Sequence, residues 1–423
     1  SLLAAGMDCS TGGSSRRTLD WELDALRCVS DCSGNVFIPF SFVFFLHQYG
    51  FMKEPIIDVV VIGLGAVGSA TLYQLSKRGI TALGIDQFEP PHTLGSSHGE
   101  TRITRLAVGE GEEYVTLAKR SHEIWAELEA VSGQKIRIKT GGILLDSGLD
   151  PWSKHGVEGF WERTLRYAQN QEISHRVIDH QEFKESYPPF LLPQTGKIYW
   201  EEEAGYLFPE VAIQTQLDLA QKQGAAVWTS SKVTAIQAQG EYFQIQVEGK
   251  EILAKKVVLC AGGWVKDFLP LPTQKKLKIC RQVLYWIAVE EGYFDWEQYP
   301  IWMWGYGPAP EDFIYGFPSL DGKSIKMASE SFVEVAHPDE LNREVSEEEQ
   351  EIFWNTKVEG KLTGLKKQFL KTSVCFYTVT EDSQFLIEAM AGDQNFLWVS
   401  ACSGHGFKHS AALGEDLVKR LGH

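Results

Sequence analysis

Cysteine, positive charge and long apolar runs are all in short supply in this 423-residue chain. Its seven cysteines, Cys9, Cys28, Cys32, Cys260, Cys280, Cys375 and Cys402, are odd in number and scattered, with no CxxC pair. That excludes a disulfide framework and points to a reducing, cytosolic setting. No metal site is expected. Forty Lys and Arg stand against 56 Asp and Glu, a formal net charge of -16, which sets the chain as a whole against nucleic acid and anionic membrane surfaces. The longest suspicious apolar run, Val36 to Leu46, is interrupted by Pro39 and Ser41 and falls short of the roughly 18–20 residues needed to span a bilayer. The polar and charged residues ahead of it also make it a poor secretory leader. Internal repeats and low-complexity tracts are missing as well. What remains, 43% hydrophobic and 23% charged residues, is ordinary globular composition, long enough for two well-buried domains. Residues 1–51 share none of the patterning downstream; they are treated as an N-terminal extension of open status.

From Ile56 the chain becomes regular. Ile56 to Ile62 is a β-branched apolar run of the kind found in a buried parallel strand. Gly63-Leu-Gly65-Ala-Val-Gly68 follows, then an amphipathic stretch from Ser69 to Arg78 ended by Gly79, then a second strand, Ile80 to Ile85, closed by Asp86. This is a βαβ unit carrying a dinucleotide fingerprint. Gly63 permits the tight turn, Gly65 lets the backbone approach a pyrophosphate, and Gly68 allows close helix–strand packing. The helix N-terminus offers N–H groups and a positive dipole to the phosphates. Asp86, eighteen residues after Gly68, is placed to accept ribose hydroxyls, and no Arg follows it, which argues against NADP. The motif alone does not choose between FAD and NAD.

Further along stand Pro90-Pro-His-Thr, Gly95-Ser-Ser-His-Gly-Glu-Thr-Arg-Ile-Thr-Arg105, Gly109-Glu-Gly111, Tyr315-Gly-Phe-Pro318, Cys375-Phe-Tyr-Thr378 and Ser403-Gly-His-Gly-Phe-Lys408. Glu112 to Glu129 reads as a helix. Val257 to Ala261 reads as a buried strand entering the Gly262-Gly263 turn, and Phe396 to Ser400 as another strand. In this order the segments resemble the monomeric sarcosine oxidase and N-methyl-L-tryptophan oxidase family of FAD-dependent amine oxidases, over about residues 55 to 420. Residues 252 to 270 look most like the N-methyltryptophan branch. The Gly95-Ser-Ser-His-Gly spelling is closer to peroxisomal sarcosine and pipecolate oxidases.

The resemblance implies an α/β fold: a glutathione-reductase-like, Rossmann-type FAD domain with a second, substrate domain on a mainly antiparallel sheet. The FAD domain would be discontinuous, covering 52–135, 205–270 and 360–423, and the substrate domain would cover 136–204 and 271–359. The implied activity is oxidation of a secondary (N-methyl or cyclic) amino acid to an imine, with oxygen as acceptor and hydrogen peroxide as product, by a cytoplasmic monomer.

It also implies residue roles. A lone cysteine in an apolar strand is ordinarily a small buried hydrophobe. The Cys-x-Tyr-Thr pattern instead makes Cys375 the residue that carries the flavin through an 8α-S-cysteinyl link, its thiol pKa lowered by nearby positive charge. His98 and Arg102 would lie near the flavin ring. Arg105 and Lys408 would hold the substrate carboxylate, the planar guanidinium binding both oxygens. Gly404, His405 and Gly406 would bring backbone N–H groups to the pyrimidine end of the flavin, and Lys326 would stabilise developing superoxide. Tyr315 and Tyr377 would line the pocket. This sequence departs from the pattern at Ser97 and Leu106, and also at Glu330, where the family's pocket carries a histidine; a carboxylate there either favours a cationic substrate group or points elsewhere. Three rivals stand beside this reading: a flavin dehydrogenase with another electron acceptor, an NAD-dependent dehydrogenase, and a flavin-binding protein that no longer turns over.

Overall fold

The opening strand β1 (Ile57–Ile62) is held on both sides by parallel neighbours, as its unbroken apolar sequence requires. The computed structural model describes residues 56–148, 152–154 and 157–423, so the expected extension at 1–51 lies outside the described residues. After β1 come the helix α1 (Ala66–Lys77) and the strand β2 (Ala82–Ile85), which pairs with β1 from Val59↔Ala82 to Ile62↔Ile85. On the other side β1 pairs with Lys250–Leu259, ending at Ile62↔Leu259. Lys250–Leu259 changes partner along its length. Its first half pairs antiparallel with Tyr242–Val247 and its last residues pair parallel with Asp393–Ser400. Four strand ends, at Ile62, Ile85, Leu259 and Ser400, therefore point the same way, and the loops that leave them form one edge of an eight-stranded sheet. In an open α/β sheet such an edge is where ligands bind.

Four helices, α1, Glu112–Ser132, Pro209–Lys222 and Ser410–Arg420, cover the sheet and share one apolar core with it, built from residues such as Val59, Val61, Leu72, Trp125, Leu217 and Leu417. The expected helix at Glu112 is present and runs three residues further than its pattern suggested, to Ser132, where Gly133 caps it at φ 72°.

A nine-stranded sheet forms the second layer, mostly antiparallel, with Lys278–Val289 and Leu365–Val379 paired along almost their whole length. Leu365–Val379 was expected with the cofactor-binding segment that begins at 360; its hydrogen bonds place it in this other sheet, and the chain rejoins the first at Leu386. A strand of fifteen residues spans both the surface and the site, which its short motif could not reveal. A small three-stranded sheet, with Gly205–Leu207 between Arg102–Thr104 and Arg137–Lys139, fixes the basic segment that enters the cleft. No described helix is long and apolar enough to cross a membrane.

Gly414 in the last helix lies against α1, where an added Cβ would stand 2.6 Å from the Ala70 carbonyl carbon. Backbone cannot yield that space cheaply. Gly414→Ala is expected to cost about 1–3 kcal/mol by overpacking, read as a lower urea midpoint with an unchanged slope.

Candidate active site

The three glycines of the first turn are glycine for different reasons. Gly63 has φ 87° and a Cβ there would lie 2.5 Å from the Cys260 carbonyl oxygen. A Cβ at Gly68 would lie 1.8 Å from the Gly63 carbonyl oxygen. At Gly65, by contrast, φ is -70° and, beyond its own chain neighbours, the nearest described atom to an added Cβ is Ser97 Oγ at 3.9 Å. The fold demands the first and third; the second keeps open a space that lies on the cleft wall at the uncapped N-terminus of α1. An anionic ligand fits there, because free N–H groups and the helix dipole meet it. Asp86 lines the same trough. Its carboxylate accepts N–H bonds from Leu64 (2.7 Å) and Phe88 (2.8 Å), and burial raises its pKa despite them. These residues fit the pyrophosphate and ribose of FAD.

From this trough the cleft, about 410 Å³, runs past Ser96 and Arg102 to Tyr315, Tyr377, Arg105, Glu330 and Lys408. Arg102 donates to the carbonyls of Thr101 (2.9 Å) and Ser96 (2.6 Å). Tyr315 and Tyr377 bring their hydroxyls to 3.5 Å of one another. Arg105 is buried and engaged: it donates to Glu110 (3.0 Å) and to the Ala107 carbonyl. Lys408 donates to the His405 carbonyl (2.9 Å), and burial is the main cause that lowers its pKa to about 7.

Glu330, expected either to favour a cation or to point away, faces a lysine. Lys154 Nζ lies 2.7 Å from its carboxylate and 3.8 Å from the Phe313 ring centroid, with both side chains 3% exposed. The cationic group that a lone carboxylate would recruit from a substrate is already supplied by the protein. Lys154 was not foreseen from the sequence, and nothing local marks it, since 176 positions separate it from Glu330. Glu110 was missed too, although it stands inside the Gly109-Glu-Gly111 segment.

Besides Gly68, which packs the turn, three expected residues do not line this cleft. His98 is buried behind it, and burial followed by the repulsion of Arg102 lowers its pKa to about 3, so the ring is neutral. Lys326 is fixed by three oxygen acceptors, the carbonyls of Gly99 (2.6 Å) and Thr101 (2.7 Å) and the Thr101 hydroxyl (3.0 Å), and faces a second cavity. Burial, then Arg102, depress its pKa well below the usual lysine value, while three acceptors match the three N–H donors of an ammonium. Cys375 is also buried, packed with Leu284, Trp286, Ala328 and Tyr315. Strand alternation puts it on the same face as Tyr377, which does line the cleft. Its expected cationic surroundings are present in Arg102, Lys326 and Arg343, yet desolvation outweighs them and raises the thiol pKa. The Ser403–Lys408 loop holds a second correction. The His405 N–H donates to the Cys402 carbonyl (2.9 Å), so it is not offered to the cleft. The His405 ring bonds the Ser383 carbonyl and stacks on Phe385 at 4.6 Å. Gly404 and Gly406 both line the cleft, and a Cβ on Gly404 would come within 2.8 Å of the Tyr377 ring.

Lys154→Met would strand the Glu330 carboxylate without its lysine. The expected loss is about 3–5 kcal/mol in urea unfolding, with partial recovery when Glu330→Gln is added.

The comparisons agree with this geometry. Residues 58–420 match the family described as FAD dependent oxidoreductase. The chain is 33% identical over 363 residues to monomeric sarcosine oxidase of Bacillus sp. (strain B-0618), covering 85% of this chain and 90% of that one. It is 32% identical over 362 residues to N-methyl-L-tryptophan oxidase of Yersinia pestis (strain Pestoides F), covering 85% and 93%. In structure it is similar to NikD, an amino acid oxidase of nikkomycin biosynthesis, with a TM-score of 0.72 at 18% identity over 86% of this chain and 96% of that one. The chain belongs to the FAD-dependent oxidoreductase family.

Proposed function

We propose that this protein oxidises the C–N bond of a small secondary amino acid, N-methyl or cyclic, and reduces dioxygen to hydrogen peroxide. One observation carries the reading: a single cleft joins the dinucleotide trough to a pocket holding Arg105, Lys408, Tyr315 and Tyr377. The likeness to sarcosine and N-methyltryptophan oxidases supports it.

The substrate carboxylate is held by Lys408 and Arg105. Because Arg105 already bonds Glu110, the carboxylate shares or displaces that partner, whereas Lys408 bonds only a neutral carbonyl among its described contacts. Tyr315 and Tyr377 wall the pocket beside them. Bound FAD supplies the two-electron acceptor. The amine loses two electrons and two protons to become an imine, and dioxygen takes up both to become hydrogen peroxide. Sarcosine would give glycine and formaldehyde after hydrolysis of the imine; a cyclic amino acid would give a ring imine.

Cys375 carries the flavin in this reading. Such a link would be a thioether from the Cys375 sulfur to the 8α carbon, with dioxygen as the two-electron oxidant. His98 acts as a neutral support behind Arg102, and Lys326 stabilises charge developing on oxygen. The two sheets correspond to a cofactor domain and a substrate domain, and the protein works as a cytosolic monomer.

The primary experiment is a visible spectrum before and after acid precipitation, with a peroxide assay on N-methyl amino acids, proline and pipecolate. Yellow colour is expected to stay with the precipitate and to leave it in Cys375→Ala. Colour released from the unaltered protein would remove the covalent link, and turnover without peroxide would reassign the acceptor. Lys408 gives a pH test. Its folded pKa is lowered, so the charge that binds a carboxylate is complete below about 7 and is lost above it. The dissociation constant of a carboxylate ligand lacking an amine is expected to rise up to roughly tenfold per pH unit above that point, and to lose this dependence in Lys408→Met.

A further inference from the structure

Five buried ionisable side chains share the wall of the cleft: Arg105, Glu110, Lys154, Glu330 and Lys408. They form one group, since the other four all act on the Lys408 ammonium. Arg105 is paired with Glu110 at 3.0 Å and Lys154 with Glu330 at 2.7 Å. With Lys408 protonated the group holds three positive charges against two negative ones. The surplus of one positive charge matches a single carboxylate. Arg102 stands apart from this count, because it bonds the Ser96 and Thr101 carbonyls and acts on His98, Lys326 and Cys375.

Glu330 reaches the part of the cleft that holds the tyrosines. A Cβ added to Gly404 would stand 2.8 Å from the Tyr377 ring and 3.1 Å from Glu330 Oε1, so the glycine, the tyrosine and the carboxylate converge. Aromatic rings hold Lys154 as well. Its ammonium lies 3.8 Å from the Phe313 ring centroid, and Phe313 stacks on Trp152 at 5.7 Å and on Tyr315 at 5.8 Å. The lysine is thus pinned beside the pocket tyrosines with its charge already answered by Glu330.

We infer that the Lys154–Glu330 pair sets the charge specificity of the pocket: Glu330 reserves Lys154, so the site takes an amino acid with one carboxylate and an uncharged side chain and turns away one with a second carboxylate. The inference rests on the proposed reading of the cleft as an amino-acid site. A second carboxylate would have to leave water and approach a lysine that Glu330 already holds, a burial without compensation. A cationic side chain fares no better, because both carboxylates of the group are engaged. An amide of the same shape carries no charge and escapes both penalties. Selection here works by exclusion, through the repulsive element that Glu330 supplies. Removing the Glu330 charge alone reverses the rule. Three positive charges then face Glu110 only, and the two negative charges of a dicarboxylate balance the surplus.

The test uses shape-matched pairs on the holoenzyme below about pH 7, where Lys408 is charged. Succinate is compared with succinamate by titration calorimetry, and N-methylaspartate with N-methylasparagine by peroxide release. In the unaltered protein the amide of each pair is expected to be preferred roughly tenfold or more. Glu330→Gln is expected to invert both orders, and Lys154→Met with Glu330→Gln, which removes both charges, to restore the preference for the amide. Lys154→Met with Glu330→Lys carries the same surplus of charge as Glu330→Gln; it is expected to behave alike and stands in where that protein does not fold. Equal affinity of the unaltered protein for succinate and succinamate overturns the inference, as does a Glu330→Gln protein that still prefers the amide. The two levels separate. If the amino acids yield no peroxide while the calorimetric order inverts as expected, the charge rule stands and the oxidase reading falls. If peroxide forms and the order does not invert, the oxidase reading stands and the pair has no part in specificity.

Discussion

A positive charge taken out of water has to be met by something, and how each cation of this site is met decides what it can do. Moving an ammonium or guanidinium into protein costs several kcal/mol unless hydrogen bonds or an opposite charge compensate it. Arg105 is met by Glu110 and Lys154 by Glu330, pairs that cancel within the protein. Arg102, Lys326 and Lys408 bond uncharged oxygens in their described contacts, two carbonyls, two carbonyls with a hydroxyl, and one carbonyl respectively. Neutral acceptors satisfy donors without supplying an opposite charge, and burial then lowers the pKa of Lys326 and Lys408, a fall that Glu110 and Glu330 oppose at Lys408. Two of the three, Arg102 and Lys408, line the cleft, while Lys326 faces the second cavity.

The two sheets supply that arrangement in different ways. The parallel sheet delivers loops: Gly63 to Gly68 after β1, Asp86 after β2 and Cys260 to Gly263 after Lys250–Leu259 leave one edge together. Its contribution is backbone, free N–H groups and close approach. The antiparallel sheet delivers side chains from strand interiors, with Lys326 and Cys375 in neighbours of Lys278–Val289, opposite Trp286 and Gln282. Lys326 is held between Lys278–Val289 and Phe313–Gly316, whereas Cys375 is laddered on one side only; such fixing suits a reaction that depends on placed charge. Desolvation accompanies that rigidity, and it explains why the Cys375 thiol is raised in pKa despite three nearby cations.

What the sequence made legible follows from this division. The β1–α1–β2 unit could be read because each requirement is local: Gly63 and Gly68 answer clashes with groups a few residues away or in the adjoining strand, and Asp86 closes the next strand. The cleft members Arg102, Arg105, Tyr315, Tyr377 and Lys408 came from short motifs matched to a family rather than from periodicity. Lys154 was invisible because its partner is Glu330, 176 positions away in sequence. The destination of the Leu365–Val379 strand was invisible because only pairing reveals the sheet to which an apolar run belongs. The sidedness of Lys326 was equally hidden, since its motif says nothing about which cavity it faces.

The pairing of Arg105 also bears on how tightly a substrate can be held. When a carboxylate approaches a guanidinium that already bonds Glu110, it exchanges one charge-assisted bond for another, and the net gain is far below the strength of either. Lys408 is different. Burial has lowered its pKa to about 7, so near neutrality its proton is only partly retained, and an arriving carboxylate stabilises the charged form that burial opposes. On the proposed reading the carboxylate would meet a regained charge on Lys408, with the guanidinium of Arg105 orienting it. Affinity and orientation would then be carried by separate residues, beside a Lys154–Glu330 pair whose opposite charges both act on Lys408.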